Sequence, residues 1–165
     1  MVASSLLVHA TTIAFGHQAV LLRGKPGSGK SSLALSLLEP GWLEKLPVAK
    51  LIADDQTILS LQRGKIIASA PDNLQGLLEV RGLGIIPVDS QPAAELALIV
   101  DLVPWQQIPR LPQPEDLTAL VLGLYFPRAS IDASLPHAAS RLRIAFTHLV
   151  ANSPKEAVAR LATEA

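Results

Sequence analysis

The sequence predicts an α/β fold in which a mixed β-sheet carries a phosphate-binding loop. Short apolar segments bounded by turn residues predict most of the sheet. The run AVLLRGKPGSGKSSLALSLL places a glycine-rich loop between an apolar strand and an apolar helix. With 165 residues, of which 49% are hydrophobic, the chain is long enough to bury a sizeable core in a single domain.

The elements of the first part follow from apolar runs and the turn residues between them. A helix is expected after Ser31, where Leu33, Leu35, Leu37 and Leu38 are its buried residues and Pro40-Gly41 ends it. Residues 76–80 are ambiguous. We predict strands over 6–12, 12–15, 19–23, 50–53, 84–88 and 96–102, and a hairpin formed by 57–61 and 65–70.

The second part begins where proline becomes frequent, in PWQQIPRLPQP. We expect an irregular connection there, and residues 118–126 fit either a strand or a helix. From about 140 to 165, apolar residues at helical spacing predict helices broken at Asn152-Ser153-Pro154, with Ser153 as an N-cap. We therefore divide the single domain into a catalytic core (1–103) and a proline-rich connection with a C-terminal helical tail (104–165).

Charge and composition exclude several classes of protein. Lys+Arg and Asp+Glu number 14 each, and no basic block occurs, so a nucleic-acid partner is not expected. No apolar run approaches the length of a membrane span, and the N-terminus lacks the features of a signal peptide. The chain has no cysteine, which excludes disulfides and thiolate metal sites. These features predict a soluble, cytoplasmic protein without a membrane partner.

The glycine-rich loop matches the pattern G-x-x-x-x-G-K-[S/T]. Glycines allow backbone N–H groups to surround phosphate oxygens, the lysine reaches the β- and γ-phosphates, and the serine hydroxyl ligates Mg²⁺. The predicted nucleotide-binding residues are Gly24, Lys25, Pro26, Gly27, Ser28, Gly29, Lys30, Ser31 and Ser32. The loop predicts a purine nucleotide with Mg²⁺, but it does not choose among a switch, a motor and a kinase.

Two carboxylates are candidates for the acidic residue that follows an apolar strand in proteins with such loops. Asp54-Asp55 follows LIA, and Asp101 follows LIV. Either site fits the rule of a hydrophobic run ending in aspartate. A solvated turn at Asp54-Asp55 and a strand-end cap at Asp101 are the structural alternatives.

The stretch LLEVRGLGIIPV is unusual for its two glycines around a leucine, directly after Glu79 and Arg81. Glu79 is a candidate Mg²⁺ ligand, and Arg81 is a candidate contact for phosphate oxygens. A surface pair of opposite charges on a turn is the ordinary interpretation of such spacing.

Taken in order, GKPGSGKS, ADD and LEVRGLGI resemble the catalytic domain of HPr kinase/phosphorylase, a bacterial enzyme that acts on a seryl residue of a phosphocarrier protein. The resemblance covers roughly residues 6–103 and includes the dipeptide His9-Ala10 upstream of the loop. It implies a P-loop kinase core similar to phosphoenolpyruvate carboxykinase, a hexamer, and the short form of the enzyme found in α-proteobacteria.

The resemblance also implies roles for individual residues. The loop, with Lys30, would bind ATP, or pyrophosphate in the reverse direction, and Ser31 and Glu79 would coordinate Mg²⁺. Asp54 would accept the proton of the attacking serine, with Asp55 beside the metal, while His9 and Arg81 complete the catalytic set. The partner would be an HPr-like phosphocarrier protein. The same site would return the proton when inorganic phosphate attacks phosphoserine.

Two other functions remain open at this stage. A small-molecule P-loop kinase should have an arginine-rich lid, for which only Arg110 and Arg128 lie in suitable loops. A nucleotide-binding sensor would bind ATP and transfer nothing. The family's C-terminal arginine-rich loop, which is tied to phosphoserine removal, has no clear match here; Arg128, Arg141 and Arg143 are the candidates nearby.

Overall fold

A computed structural model describes residues 4–40 and 46–151. Eleven strands and two α-helices form in this part of the chain. The strands are β1 (Ser5–Val8), β2 (Ala10–Phe15), β3 (Gln18–Arg23), β4 (Lys50–Ala53), β5 (Thr57–Gln62), β6 (Lys65–Ser69), β7 (Leu77–Val80), β8 (Gly84–Pro87), β9 (Ala93–Leu102), β10 (Thr118–Val121) and β11 (Leu124–Ile131). The helices are α1 (Lys30–Leu38) and α2 (Ala138–Phe146), which continues into a π-helical turn over Thr147–Ala151.

Nine of the strands form one mixed sheet. Seven of them follow the order β1-β5-β6-β9-β3-β2-β4, while β11 pairs with β9 and β10 pairs with β11. Strands β3 and β11 both run parallel to β9, whereas β2 is antiparallel to both β3 and β4. The carboxyl ends of β3, β4, β9 and β11 therefore meet at one edge of the sheet, together with the start of β2. In open α/β sheets, such an edge is where ligands bind.

Each face of the sheet packs against its own apolar core. Helices α1 and α2 cover one face, where Leu33, Leu37 and Phe146 are buried, and the Phe146 ring lies 4.9 Å from that of Phe15. The other face is closed by the β5–β6 hairpin and by β10–β11, which contribute Leu59 and Phe126. The curvature of the sheet thus encloses apolar side chains on both sides.

A buried arginine joins the two helices. Arg143 of α2 donates hydrogen bonds to the carbonyl oxygens of Leu37 (3.3 Å) and Glu39 (2.8 Å), at the C-terminal end of α1. These carbonyls have no partner within the helix, and a cation there also complements the helix dipole. Burial lowers the pKa of Arg143 from its ordinary value, and the charge of Glu39 opposes this shift.

The α/β class and most of the predicted elements are confirmed. The prediction that Leu35 is buried in the helix is wrong, because it lies on the outer side of α1 and is 36% exposed. Of residues 76–80, which were ambiguous, Leu77–Val80 form strand β7. Residues 118–126 contain β10 and the start of β11, separated by a turn in which Leu122 and Gly123 have positive φ.

The region predicted to be a proline-rich connection and helical tail therefore also supplies two strands. β11 lies beside β9 in the main sheet, and short 3-10 turns at Trp105–Gln107 and Pro114–Leu117 occupy the connection. The predicted break at 152–154 and the helix after it lie outside the described residues. In the described ranges, no helix has both the length and the apolar character needed to cross a bilayer.

Candidate active site

The direction of the strands brings the predicted site residues to one edge of the sheet. The glycine loop leaves the end of β3, and Asp54 follows the end of β4. His9 precedes β2, whose first residue, Ala10, pairs with Arg23 at the end of β3. Three segments that are distant in sequence are therefore neighbours at this edge of the sheet.

The glycine loop has a shape that only glycine permits at several positions. Gly27 and Gly29 have φ of 79° and 95°, in the left-handed region. Gly24 has an ordinary φ, but a Cβ there would lie 3.0 Å from Ser28 Cβ and 3.2 Å from Leu102 Cβ. The buried Ser28 hydroxyl has no hydrogen-bond partner in the described part of the chain. This tight loop with an unsatisfied polar atom fits an oxyanion ligand.

Lys30, the first residue of α1, is folded into the loop. Its side chain is only 6% exposed, and Nζ donates hydrogen bonds to the carbonyl oxygens of Gly24 (2.9 Å) and Lys25 (3.3 Å). A buried ammonium held only by neutral carbonyls is a strong binder of an incoming anion, because burial strengthens the Coulomb attraction. The predicted role of Lys30 as a phosphate contact fits this geometry.

Asp54 is joined directly to the glycine loop. Its Oδ1 accepts hydrogen bonds from the Ser31 hydroxyl (2.7 Å) and the Thr11 hydroxyl (2.9 Å), and its Oδ2 accepts one from the backbone N–H of Glu79 (3.0 Å). Hydroxyl and carboxylate oxygens are the hard ligands that Mg²⁺ prefers. Ser31 and Asp54 are therefore the residues here that fit a Mg²⁺ ion beside bound phosphates.

Asp55 faces a different neighbour. Its backbone has φ of 63°, and its Oδ1 lies 3.2 Å from Nε2 of His9. The two side chains are 50% (His9) and 59% (Asp55) exposed, so the pair lies at the open side of the site. The turn brings the predicted site residues His9 and Asp55 together and separates the two adjacent carboxylates.

Glu79 and Arg81 belong to a separate two-stranded sheet, the β7–β8 hairpin. The backbone of Glu79 reaches Asp54, but its side chain is exposed, and so is that of Arg81 at the turn. Within residues 4–40 and 46–151, no three His, Cys, Asp or Glu side chains cluster as metal ligands would. Glu79 is thus adjacent to the site without forming a carboxylate cluster with Asp54 and Asp55.

The alternative carboxylate, Asp101, is occupied elsewhere. It accepts two hydrogen bonds from the Arg23 guanidinium, at 2.7 and 2.9 Å, and Arg128 Nε lies 3.7 Å away. Because Ser31 bonds to Asp54 and not to Asp101, the geometry favours Asp54-Asp55 as the acidic pair of the site.

The candidate arginines of the C-terminal part have partners outside the loop. Arg128 also donates to the Asp116 carbonyl, Arg141 lies over the Trp105 ring, and Arg143 binds the end of α1. The segment that does reach the glycine loop is 132–137, with the sequence DASLPH, whose Ala133 Cβ lies 3.0 Å from where a Cβ of Gly29 would be. This segment contains no arginine or lysine.

One site residue, Thr11, was missed by the sequence analysis. It is fully buried, donates to Asp54 Oδ1, and accepts a hydrogen bond from the backbone N–H of Asp55 (3.2 Å). Thr11 therefore sets the turn that separates the two carboxylates. The available signal was a pair of threonines directly after His9-Ala10 in an otherwise apolar strand.

A phosphate loop at the end of one strand, bonded through its serine to a carboxylate at the end of another, defines the class of P-loop nucleotide-binding proteins. Within that class, the family model "HPr Serine kinase C-terminal domain" matches residues 1–133. The chain belongs to this family. The predicted resemblance and the P-loop kinase-like fold are thereby confirmed.

Similar proteins carry related names. The HPr kinase/phosphorylase of Limosilactobacillus reuteri is 31% identical over 135 residues, which are 75% of this chain and 40% of that protein. The enzyme of the same name from Geobacillus thermodenitrificans is 33% identical over 140 residues, 78% of this chain and 43% of the relative. The chain thus spans about two fifths of the length of these relatives.

Among solved structures, the Hpr(Ser) kinase/phosphatase from Coxiella burnetii is similar, with a TM-score of 0.68 and 26% sequence identity. The match covers 85% of this chain and 86% of that one.

Proposed function

We propose that this chain transfers the γ-phosphoryl group of ATP, in the presence of Mg²⁺, to a serine of an HPr-like phosphocarrier protein. The observation that carries the proposal is the hydrogen bond from Ser31 to Asp54, which couples the phosphate loop to an acidic turn that opens to solvent at Asp55 and His9. Family membership adds the kinase activity and the class of acceptor, since the relatives are named for them.

The proposed reaction needs positioning and charge stabilisation more than covalent help from the protein. The serine hydroxyl oxygen bonds to the γ-phosphorus, the bond from that phosphorus to the bridging oxygen breaks, and ADP leaves with the electron pair. The hydroxyl proton passes to a carboxylate. Lys30 stabilises negative charge on the phosphates, and Mg²⁺, when bound at Ser31 and Asp54, supplies further charge neutralisation.

The geometry supports other roles for the two aspartates, as metal ligand and proton acceptor, than those that the resemblance implies. Asp54 accepts three hydrogen bonds, from Ser31, Thr11 and the Glu79 N–H, and one of them comes from the serine that would ligate Mg²⁺. The Asp55 side chain is exposed, and its carboxylate lies beside His9. We therefore assign the metal side to Asp54 and the proton acceptor to Asp55, with His9 holding the acceptor in place.

Two isosteric variants test this assignment. Asp55→Asn should keep Mg²⁺-dependent ATP affinity and lose transfer, since the amide cannot accept the proton. Asp54→Asn should weaken the Mg²⁺ dependence of ATP binding. Fluorescent ATP-analogue titrations with and without Mg²⁺, together with single-turnover transfer rates, separate the two effects. If Asp54→Asn instead loses transfer with unchanged Mg²⁺-dependent ATP affinity, and Asp55→Asn weakens that affinity, Asp54 is the proton acceptor.

The function itself is tested by incubating the full chain with ATP, Mg²⁺ and each HPr-like protein of its source organism, followed by intact mass measurement. One added phosphate, mapped to serine, is expected. A sensor would bind ATP without modifying any carrier. A small-molecule kinase would leave the carriers unmodified and consume ATP when its metabolite is added. Either result would overturn the proposal.

The finer expectations from the resemblance are part of the same proposal. They are a hexameric assembly, a cytoplasmic location, and the reverse reaction in which phosphate attacks phosphoserine to give pyrophosphate. The reverse direction has less support than the forward one, because segment 132–137, beside the glycine loop, contains no arginine or lysine for the additional phosphate. Pyrophosphate release from the phosphorylated carrier measures it directly.

A further inference from the structure

The β7–β8 hairpin exposes two large apolar side chains beside the proposed transfer site. Leu83, in the turn, is 76% exposed, and Ile85, on β8, is 69% exposed. In a soluble domain, large apolar side chains that are this exposed and lie close together are typical of contact surfaces. The hairpin is also a sheet of its own, so these residues do not complete the main sheet.

The hairpin has one face toward the core and one toward solvent. Leu78 is fully buried against the α1 side of the sheet, and its cross-strand partner is Ile86. The next pair, Glu79 and Ile85, points the other way, because side chains alternate along strands. Glu79, Ile85 and the turn residues Arg81 and Leu83 are all exposed. We call these four residues the hairpin face.

The hairpin face lies within reach of any protein that brings a hydroxyl to the acidic pair. The backbone N–H of Glu79 is 3.0 Å from Asp54 Oδ2, and each strand of four residues is about 13 Å long. A specific interface buries about 800 Å² per partner, an area with a radius of about 16 Å. With a footprint of that radius, an acceptor protein centred on Asp54 and Asp55 extends as far as the hairpin face.

We propose that the hairpin face is the docking surface for the acceptor protein, with Leu83 and Ile85 as its apolar anchors and Glu79 and Arg81 as its polar rim. This inference depends on the proposed function, since it gives the protein substrate its place. The occupant has an apolar surface next to its acceptor serine, bordered by groups that pair with one acidic and one basic side chain. Apolar anchors at the centre with charges at the edge are the usual arrangement of such interfaces.

The kinetic test uses the double variant Leu83→Ser/Ile85→Ser and the matched control Leu111→Ser, whose leucine is 80% exposed on the proline-rich connection. The double variant should raise KM for the carrier that accepts phosphate by about tenfold or more. KM for ATP and kcat at saturating carrier should stay within about twofold. The control should change none of these values. An unchanged carrier KM in the double variant would overturn the proposal.

A binding test separates this inference from the proposed function. A photo-crosslinking amino acid at position 83, and in a second protein at position 111, is irradiated in the full chain with the HPr-like proteins of its source organism. Crosslinking from position 83 alone to such a carrier is expected, even if no phosphate is transferred. Crosslinking from 83 to a second copy of the chain would identify a subunit interface and overturn the proposal, as would crosslinking to nothing.

Discussion

The two sides of the candidate site differ in how firmly they are held. On the nucleotide side, the glycine loop, Lys30 and the bond from Ser31 to Asp54 are fixed by buried contacts and hydrogen bonds. On the other side, the hairpin is anchored by the buried Leu78 and one backbone hydrogen bond to Asp54, and its outer face is exposed. The groups that would stabilise phosphate charge are thus preorganised by the fold, whereas the proposed docking surface is left open.

The largest expected effect tests the preorganised side. Lys30→Ala should reduce the rate of phosphoryl transfer by about 100-fold or more, because it removes the buried cation that we propose contacts the phosphates. The matched control is Lys65→Ala, which removes an exposed lysine paired with Glu95 and should leave the rate unchanged. Single-turnover kinetics measure both. A comparable loss in the two variants would show that Lys30 has no special role.

A glycine pair compares the two sides directly. Gly24→Ala should weaken ATP binding by about tenfold or more, because its Cβ would press on Ser28 and Leu102 and distort the loop. Gly82→Ala, in the hairpin turn, meets no atom within 4 Å but has φ of +88°, so it should cost about 1 kcal/mol of stability and leave ATP affinity intact. Equal losses of ATP affinity in the two variants, measured by titration, would show that the glycine loop is no more sensitive than the hairpin turn.

A smaller effect, on the stability of the fold, is expected from the contact between helices α1 and α2. Arg143→Leu should destabilise the fold by about 1–3 kcal/mol, since the Leu37 and Glu39 carbonyls lose their donor. The control is Arg141→Leu on the same helix, whose guanidinium is exposed over Trp105 and contributes less. Urea unfolding of both variants gives the comparison. If Arg141→Leu is the more destabilising change, the role assigned to Arg143 is wrong.

The smallest effect concerns the segment that packs against the glycine loop. Hydrogen bonds from the Ser134 side chain and backbone, and from the Trp105 N–H, lower the pKa of Asp132 from its usual value of 3.8. An acid with a lowered pKa in the folded state stabilises the fold above its ordinary pKa and loses that contribution as the pH falls through the folded value. The stability difference between wild type and Asp132→Ala should therefore be constant from pH 8 to about 5 and shrink at more acidic pH. A difference that grows in acid would contradict this.

The sequence predicted the motifs of the site but not how they connect. GKPGSGKS and its flanking apolar runs specify the loop and α1 through local geometry. The bonds from Thr11 to Asp54 and Asp55 depend on two strands meeting after a long separation in sequence, which no local pattern encodes. The same limit applies to Asp101. Its preceding apolar run resembles that of Asp54, and only the structure shows that Asp101 pairs with Arg23.

The proline-rich part shows the same dependence on distant contacts. Residues 118–126 remained open between strand and helix because their apolar run fits both periods. They form a hairpin in which Thr118–Val121 pairs with the first part of β11, and this hairpin is joined to the main sheet because β11 continues and pairs with β9 through residues 128–131. Positive φ at Leu122 and Gly123 marks the turn, although leucine gives no sequence signal for such a conformation.

Strand β9 also determines when the site can form as the chain folds. It pairs with β3, β6 and β11, and its contact with β3 joins Arg23 to Asp101, 78 residues apart. Parallel pairings between distant segments form slowly, because the intervening chain must first be ordered. The glycine loop precedes β9 in the chain, so its supporting strand β3 gains its second neighbour only after β9 has been synthesised. The glycine loop is therefore supported on both sides only once this long-range pairing has formed.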